Sequence, residues 1–233
     1  EQLNLKAVAS IESRVFVPEF SDRVINSPGE PGIAYHMGVG FTASRLQGWA
    51  RAFLFDMRRR AERRNRELVA RVNDYLQPVA LDYDKDVVPL TPRGNATERH
   101  VCVAYVRKAK TCFPGEEALA AFWSDRLGAS AETFDLPDGP ELQLLLRAKT
   151  MKQGGVGYVQ PGEGSFPLMA DMDRFTLEAG AIPTLTWLDG TSSGEQSMEE
   201  LMQTAISSGA AALNIIPDRN FTAGVKDEKL QNL

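Results

Sequence analysis

Histidine and cysteine are scarce in this 233-residue chain, with two of each. His36 and His100 form no His-x-His or His-Glu-x-x-His pattern, so they cannot alone build a histidine-rich metal site. Cys102 and Cys112 lie ten residues apart with no Cys-x-x-Cys pair. They read as free thiols of a reducing compartment, which excludes a disulfide framework and a zinc knuckle. Long apolar runs are missing as well. Ala179 to Leu188 is broken by Gly180 and Pro183 and falls well short of the ~20 residues a bilayer requires. No basic-then-apolar leader opens the sequence. The expected setting is therefore cytoplasmic, away from membranes. A broad positive charge is missing too: 26 basic against 31 acidic residues leave a net charge of −5, and a nucleic-acid partner is not expected.

What is present is ordinary for a folded domain. Hydrophobic residues make up 43% and charged residues 24%, and a chain of this size buries about 70% of its unfolded surface without staples. Short stretches rich in Val, Ile and aromatics, bounded by Gly, Pro or Asn, predict strands at Val8–Val17, Ile33–Phe41, Pro78–Tyr83, Gly155–Val159, Ile182–Leu188 and Ala211–Ile216. Leu54, Met57, Ala61, Leu68, Val72 and Tyr75 recur at helical steps and predict a helix over Gln47–Leu76, stopped by Pro78. Further helices are expected at Glu116–Leu127, Pro140–Lys152 and Leu168–Ala179. Capping-box spacings at Asn95/Glu98 and Ser197/Glu200 mark two more helix starts. Ser21–Gly32 reads as a long turn between two strands. Strands alternating with helices imply a mostly parallel sheet with helical cover, open or closed into a barrel. No repeat or linker divides the chain, so residues 1–233 read as one domain, expected to be incomplete at both ends.

Each candidate for chemistry has a plain structural competitor. The segment Arg58-Arg-Arg-Ala-Glu-Arg-Arg-Asn-Arg-Glu sits on a helix with Glu62 and Glu67 interleaved, which reads as a salt-bridged, solvated face. Gly154–Ser165 is glycine-rich but matches neither a P-loop nor a dinucleotide fingerprint. Asn95-Ala-Thr and Asn220-Phe-Thr match the glycosylation sequon by chance. Asp189-Gly-Thr-Ser-Ser-Gly-Glu follows a buried strand and precedes a capped helix. Its hydroxyls and free amides could cradle an anion there; an ordinary Gly/Ser loop is the competing reading. His100 stands at the opening of a helix, where an imidazole can face a pocket. Glu12 is a carboxylate in the middle of what reads as a buried strand, a place that demands a partner or a metal. An ion pair with Arg14 or Arg23 is the structural alternative.

Several of these pieces line up in order with the polymerase and histidinol phosphatase (PHP) family. Ser10-Ile-Glu-Ser-Arg resembles its strand bearing a glutamate metal ligand, and Ala34-Tyr-His-Met-Gly-Val-Gly-Phe its next strand. The helix around Arg63-Arg-Asn-Arg-Glu-Leu-Val-Ala-Arg-Val-Asn is similar in position and character to the family's long helix. Gly94-Asn-Ala-Thr-Glu-Arg-His-Val resembles the Arg-x-His motif whose histidine binds metal. Glu178-Ala-Gly-Ala-Ile-Pro-Thr-Leu-Thr-Trp-Leu-Asp is similar to the segment that ends in Ala-His-Pro in the family. The departures are specific. The family's opening His-x-His and closing Asp-x-His are not in this chain, Thr186-Trp-Leu-Asp189 replaces Ala-His-Pro, and Asn214 stands where a later strand often carries Glu.

The resemblance implies an α/β fold of the distorted β/α-barrel kind and a metal-dependent hydrolase, a phosphoesterase acting on a small phosphorylated molecule. It implies divalent metal ions, zinc, manganese or iron, with Glu12 and His100 as ligands and Asp189 as a third, since an aspartate oxygen can stand in for imidazole. These three are also the expected catalytic residues. Arg99 is placed as a phosphate partner, and Asp218 and Arg219, following a strand, as substrate contacts at the rim. The loss of the Ala-His-Pro histidine favours an alternative: a PHP-like domain without catalysis that serves as a binding or regulatory module.

Overall fold

The computed structural model describes residues 7–93, 95–128, 139–161, 164–216 and 219. The chain divides into two compact units, one formed by residues 1–57 with 161–233 and the other by residues 58–160.

The first unit holds a four-stranded open sheet in the order β1-β2-β3-β4: β1 (Ala9–Phe16), β2 (Ile33–Phe41), β3 (Ile182–Thr186) and β4 (Ala212–Asn214). β1 and β2 pair antiparallel, as do β2 and β3; β3 and β4 alone run parallel. This corrects the expected β/α barrel, because among the described residues the sheet is mixed, small and unclosed. The cause lies in the connections. A parallel pair needs a crossover long enough to carry a helix. The link from β1 to β2 is the Ser21–Gly32 turn, opened by a 3-10 turn at Pro18–Phe20, so the chain doubles back. β3 and β4 are joined across helices, α6 (Ser193–Gln196) and α7 (Met198–Ser208), which allows the parallel pair; β2 and β3, although the long segment 42–181 lies between them, pair antiparallel. Helix α5 (Met169–Glu178) precedes β3. Val15, Phe20, Ile25, Met172, Leu185 and Trp187 are buried together in this unit's core.

Helix α1 (Gly48–Tyr75) begins in the first unit and ends in the second. The second unit is helical, with α2 (Glu98–Cys112), α3 (Glu116–Leu127) and α4 (Pro140–Thr150) around a core of Leu68, Val72, Tyr105, Trp123, Leu142 and Leu146. Both strands expected here are absent for the same reason: their backbone groups find partners without a sheet. At Pro78–Tyr83 the Asn73 side chain takes both sides of Leu81, donating to its carbonyl at 2.9 Å and accepting from its N–H at 2.8 Å. A π-helical turn follows over Tyr83–Val87, opened by the Asp82 carboxylate, which accepts from the amides of Asp84 and Lys85. At Gly155–Val159 the Gly157 amide donates to the Thr150 carbonyl at 2.7 Å, and Arg71 donates to the Tyr158 carbonyl at 2.5 Å. A Cβ at Gly157 would lie 2.3 Å from Val72 Cγ2 and 2.8 Å from the Thr150 oxygen, so only glycine permits this crossing against α1. The Arg-rich face of α1 is salt-bridged as expected, through Arg66 with Glu62 and Asp84 and through Arg71 with Glu67. No described helix is long and apolar enough to cross a membrane.

Candidate functional site

Cross-strand pairing sorts the sheet residues onto two faces, because side chains alternate along each strand. Ser13, His36 and Leu185 share one face; Glu12, Met37 and Thr184 share the other. Helix α5 contributes Asp173 to the first. His36 and Asp173 are both fully buried, and His36 Nε2 lies 2.6 Å from Asp173 Oδ1. Ser208 of α7 donates its hydroxyl to the other carboxylate oxygen. Nδ1 of His36 is buried without a hydrogen-bond partner. A bare Nδ1 is cheaper as a lone pair than as an orphaned N–H, so the proton belongs on Nε2, donated to Asp173. His36 is thus a structural histidine tied to a carboxylate.

On the opposite face, Glu12 is exposed, which corrects its expected burial. The first half of β1 is open to solvent, and Val15 is the first buried residue of the strand. The two arginines that could have made Glu12 structural are engaged elsewhere. Arg14 donates to the buried Glu30 carboxylate at 2.6 Å, which Ser27 also reaches. Arg23 pairs with Glu200 at 2.7 Å. Among the described residues Glu12 has neither a hydrogen-bond nor an ion-pair partner.

The loop after β3 is built around another acid. Glu195 is 1% exposed. Its carboxylate accepts from the amides of Leu188 (2.8 Å), Asp189 (3.2 Å) and Gly190 (2.8 Å). Gly190 takes the left-handed conformation, φ +70°, which turns the chain that follows it back toward Glu195. The amides expected to await an anion are therefore already filled by the chain's own carboxylate. Asp189 is half-buried; Oδ1 accepts from the Thr191 amide and hydroxyl, and Oδ2 lies 3.8 Å from Arg219 Nη1. Trp187 is 2% exposed and belongs to the core.

In the second unit, His100 is half-buried in the first turn of α2, but the cap is Thr97 rather than Asn95. His100 Nδ1 accepts from the Thr97 amide at 3.1 Å and lies 2.9 Å from its hydroxyl, which leaves Nε2 for other work. Arg99 beside it is exposed. Glu98 pairs with Arg147 at 2.7 Å and Lys152 at 2.9 Å. Burial pushes its carboxyl up, but the hydrogen bonds from Lys152 and Arg147 outweigh that and hold it below the usual glutamate value.

Glu12, Asp189 and Arg219 thus lie in the first unit and Arg99 and His100 in the second, while Asp218 falls outside the described residues. Among the described residues, no three His, Cys, Asp or Glu side chains come together as a metal-binding group. The residues that sequence reasoning missed are Asp173 and Glu195. Each had a signal: Asp173 interrupts the apolar stripe Met169, Met172, Phe175 of α5, and Ser192 stands three residues before Glu195, whose amide it caps at 3.1 Å.

No family model and no curated protein matches the chain. Among solved structures it is similar to an amidohydrolase from Chromobacterium violaceum described with bound sulfate and no metal, at a TM-score of 0.46 and 14% identity. The match covers 88% of this chain and 56% of that one, so the chain spans little more than half the neighbour's length.

Proposed function

We propose that the chain is part of a PHP-like phosphoester hydrolase acting on a small phosphorylated molecule, to which it contributes Glu12 as a ligand for a divalent ion. The observation that supports this reading is the state of Glu12. It is a mid-strand carboxylate on the sheet face away from α5, without a partner among the described residues, while both nearby arginines are committed to Glu30 and Glu200. A bound zinc, manganese or iron ion would supply an acidified water and a clamp on phosphoryl oxygens. The described residues do not complete a ligand set, so Glu12, Asp189 and His100 (through Nε2) stand as separate ligand candidates. Arg99, and separately Asp218 and Arg219, remain candidates for contacts to a phosphate or polar group of a substrate.

The test is metal content by mass spectrometry after purification without chelator, followed by manganese uptake and hydrolysis of a generic phosphomonoester. Glu12→Gln should lose metal and activity together. Unchanged metal content in that variant removes Glu12 from the site.

A second reading, a PHP-like domain that binds without catalysis, is favoured by Trp187. Where the family has a metal-binding histidine, this chain buries an indole in its core. A wild-type protein that arrives metal-free and refuses added manganese and zinc selects this reading.

A further inference from the structure

Glu195 is a buried carboxylate whose charge is met by backbone alone. Three successive amides donate to it, and no ion pair reaches it among the described residues. A carboxylate this deeply buried is tolerated only where dipoles replace its lost hydration. The donors lie in the loop that follows β3, before the short α6 begins, and the left-handed Gly190 turns the chain back so that Glu195 can reach them. We infer that the amides of Leu188, Asp189 and Gly190 form an anion receptor whose resident anion is the Glu195 carboxylate, and that a small carboxylate enters it when that side chain is removed. Glu195 then fixes the loop from within. It grips the backbone on both sides of Asp189, while Thr191 fixes the Asp189 carboxylate from within the loop. This assignment stands apart from the hydrolase reading, because it concerns the loop and its own occupant.

The experiment is a formate titration of the full chain, followed by amide NMR at constant ionic strength against chloride. In Glu195→Ala, formate should produce saturable shifts confined to residues 188–191. The wild type and Glu195→Gln, whose side chains fill the receptor, should show none. Shifts that are absent, or that are equal in the wild type, overturn the inference. Hydrogen exchange of the wild type decides the matter if Glu195→Ala does not fold. The amides of Leu188, Asp189 and Gly190 should exchange on the order of 100-fold more slowly than an open loop. Exchange at open-loop rates overturns the receptor.

Discussion

Removing the Asp173 carboxylate tests whether the buried network on β2, α5 and α7 is a structural pin. Asp173→Ala leaves the Nε2–H of His36 facing a cavity and takes from Ser208 its charged acceptor, and Asp173 is fully buried. Losing two hydrogen bonds to a charged acceptor costs about 3–5 kcal/mol in all. Asp173→Asn should behave differently. Its amide oxygen can accept from His36 while its NH2 donates to Ser208 Oγ, whose proton turns to the Ala205 carbonyl at 2.8 Å. Only the charge-assisted part of the bonds is then lost, about 1–2 kcal/mol. In urea unfolding, a slope of about 2 kcal/mol per molar turns these losses into midpoint shifts of about 2 M for Ala and below 1 M for Asn. An alanine variant that loses less than about 1 kcal/mol, or an asparagine variant as damaged as alanine, would refute the pin and the proton placement on Nε2.

Thiol chemistry should separate the two cysteines. Cys102 is buried beside Met151, and burial pushes its thiol up to about 12, whereas Cys112 is exposed; a thiol reagent at pH 8 should modify Cys112 alone until the protein is denatured. Glu98 is held below its ordinary value of 4.5 in the folded chain. Its contribution is therefore present above about that pH and is lost as pH falls toward the folded value. Acid titration of Arg147→Met should show a smaller loss of stability below pH 4.5 than the wild type. Gly157→Ala must push against Val72 and a backbone oxygen, with an expected loss of more than about 2 kcal/mol by calorimetry. Glu12→Gln, at an exposed position, should change stability by no more than about 0.5 kcal/mol, so that any change in metal content is not a folding effect.

The elements that the sequence made legible are those whose period is unambiguous. β2 occupies Ile33–Phe41 and α3 Glu116–Leu127, as their patterns predict, and α1 ends within a residue of its expected bounds. Pro78–Tyr83 and Gly155–Val159 have strand composition but no strand neighbour; Asn73, Thr150 and Arg71 satisfy their backbones instead, and such irregular partners leave no periodic trace in the sequence. The barrel expectation failed because strand count and order follow from connection geometry, which alternation alone does not reveal. At the candidate site, the exposure of Glu12 depended on how much of the sheet face opposite α5 is covered, and the free-looking amides of the Asp189 loop were filled by a residue six positions away.

The register of β1 against β2 also governs how this chain can change length. Ser13 opposite His36 keeps Val15 inward and Glu12 outward, and because the side-chain period is two, deleting one residue within β1 would exchange the two sets. The turn between the strands offers no slack for compensation. Asn26 is 3% exposed and accepts from the Tyr35 amide while donating to the Thr186 carbonyl, and Glu30 is tied to both Arg14 and Ser27. Single-residue insertions and deletions should therefore be purged from residues 9–41 of natural variants, even across a turn rich in proline and glycine where length variation is ordinarily tolerated.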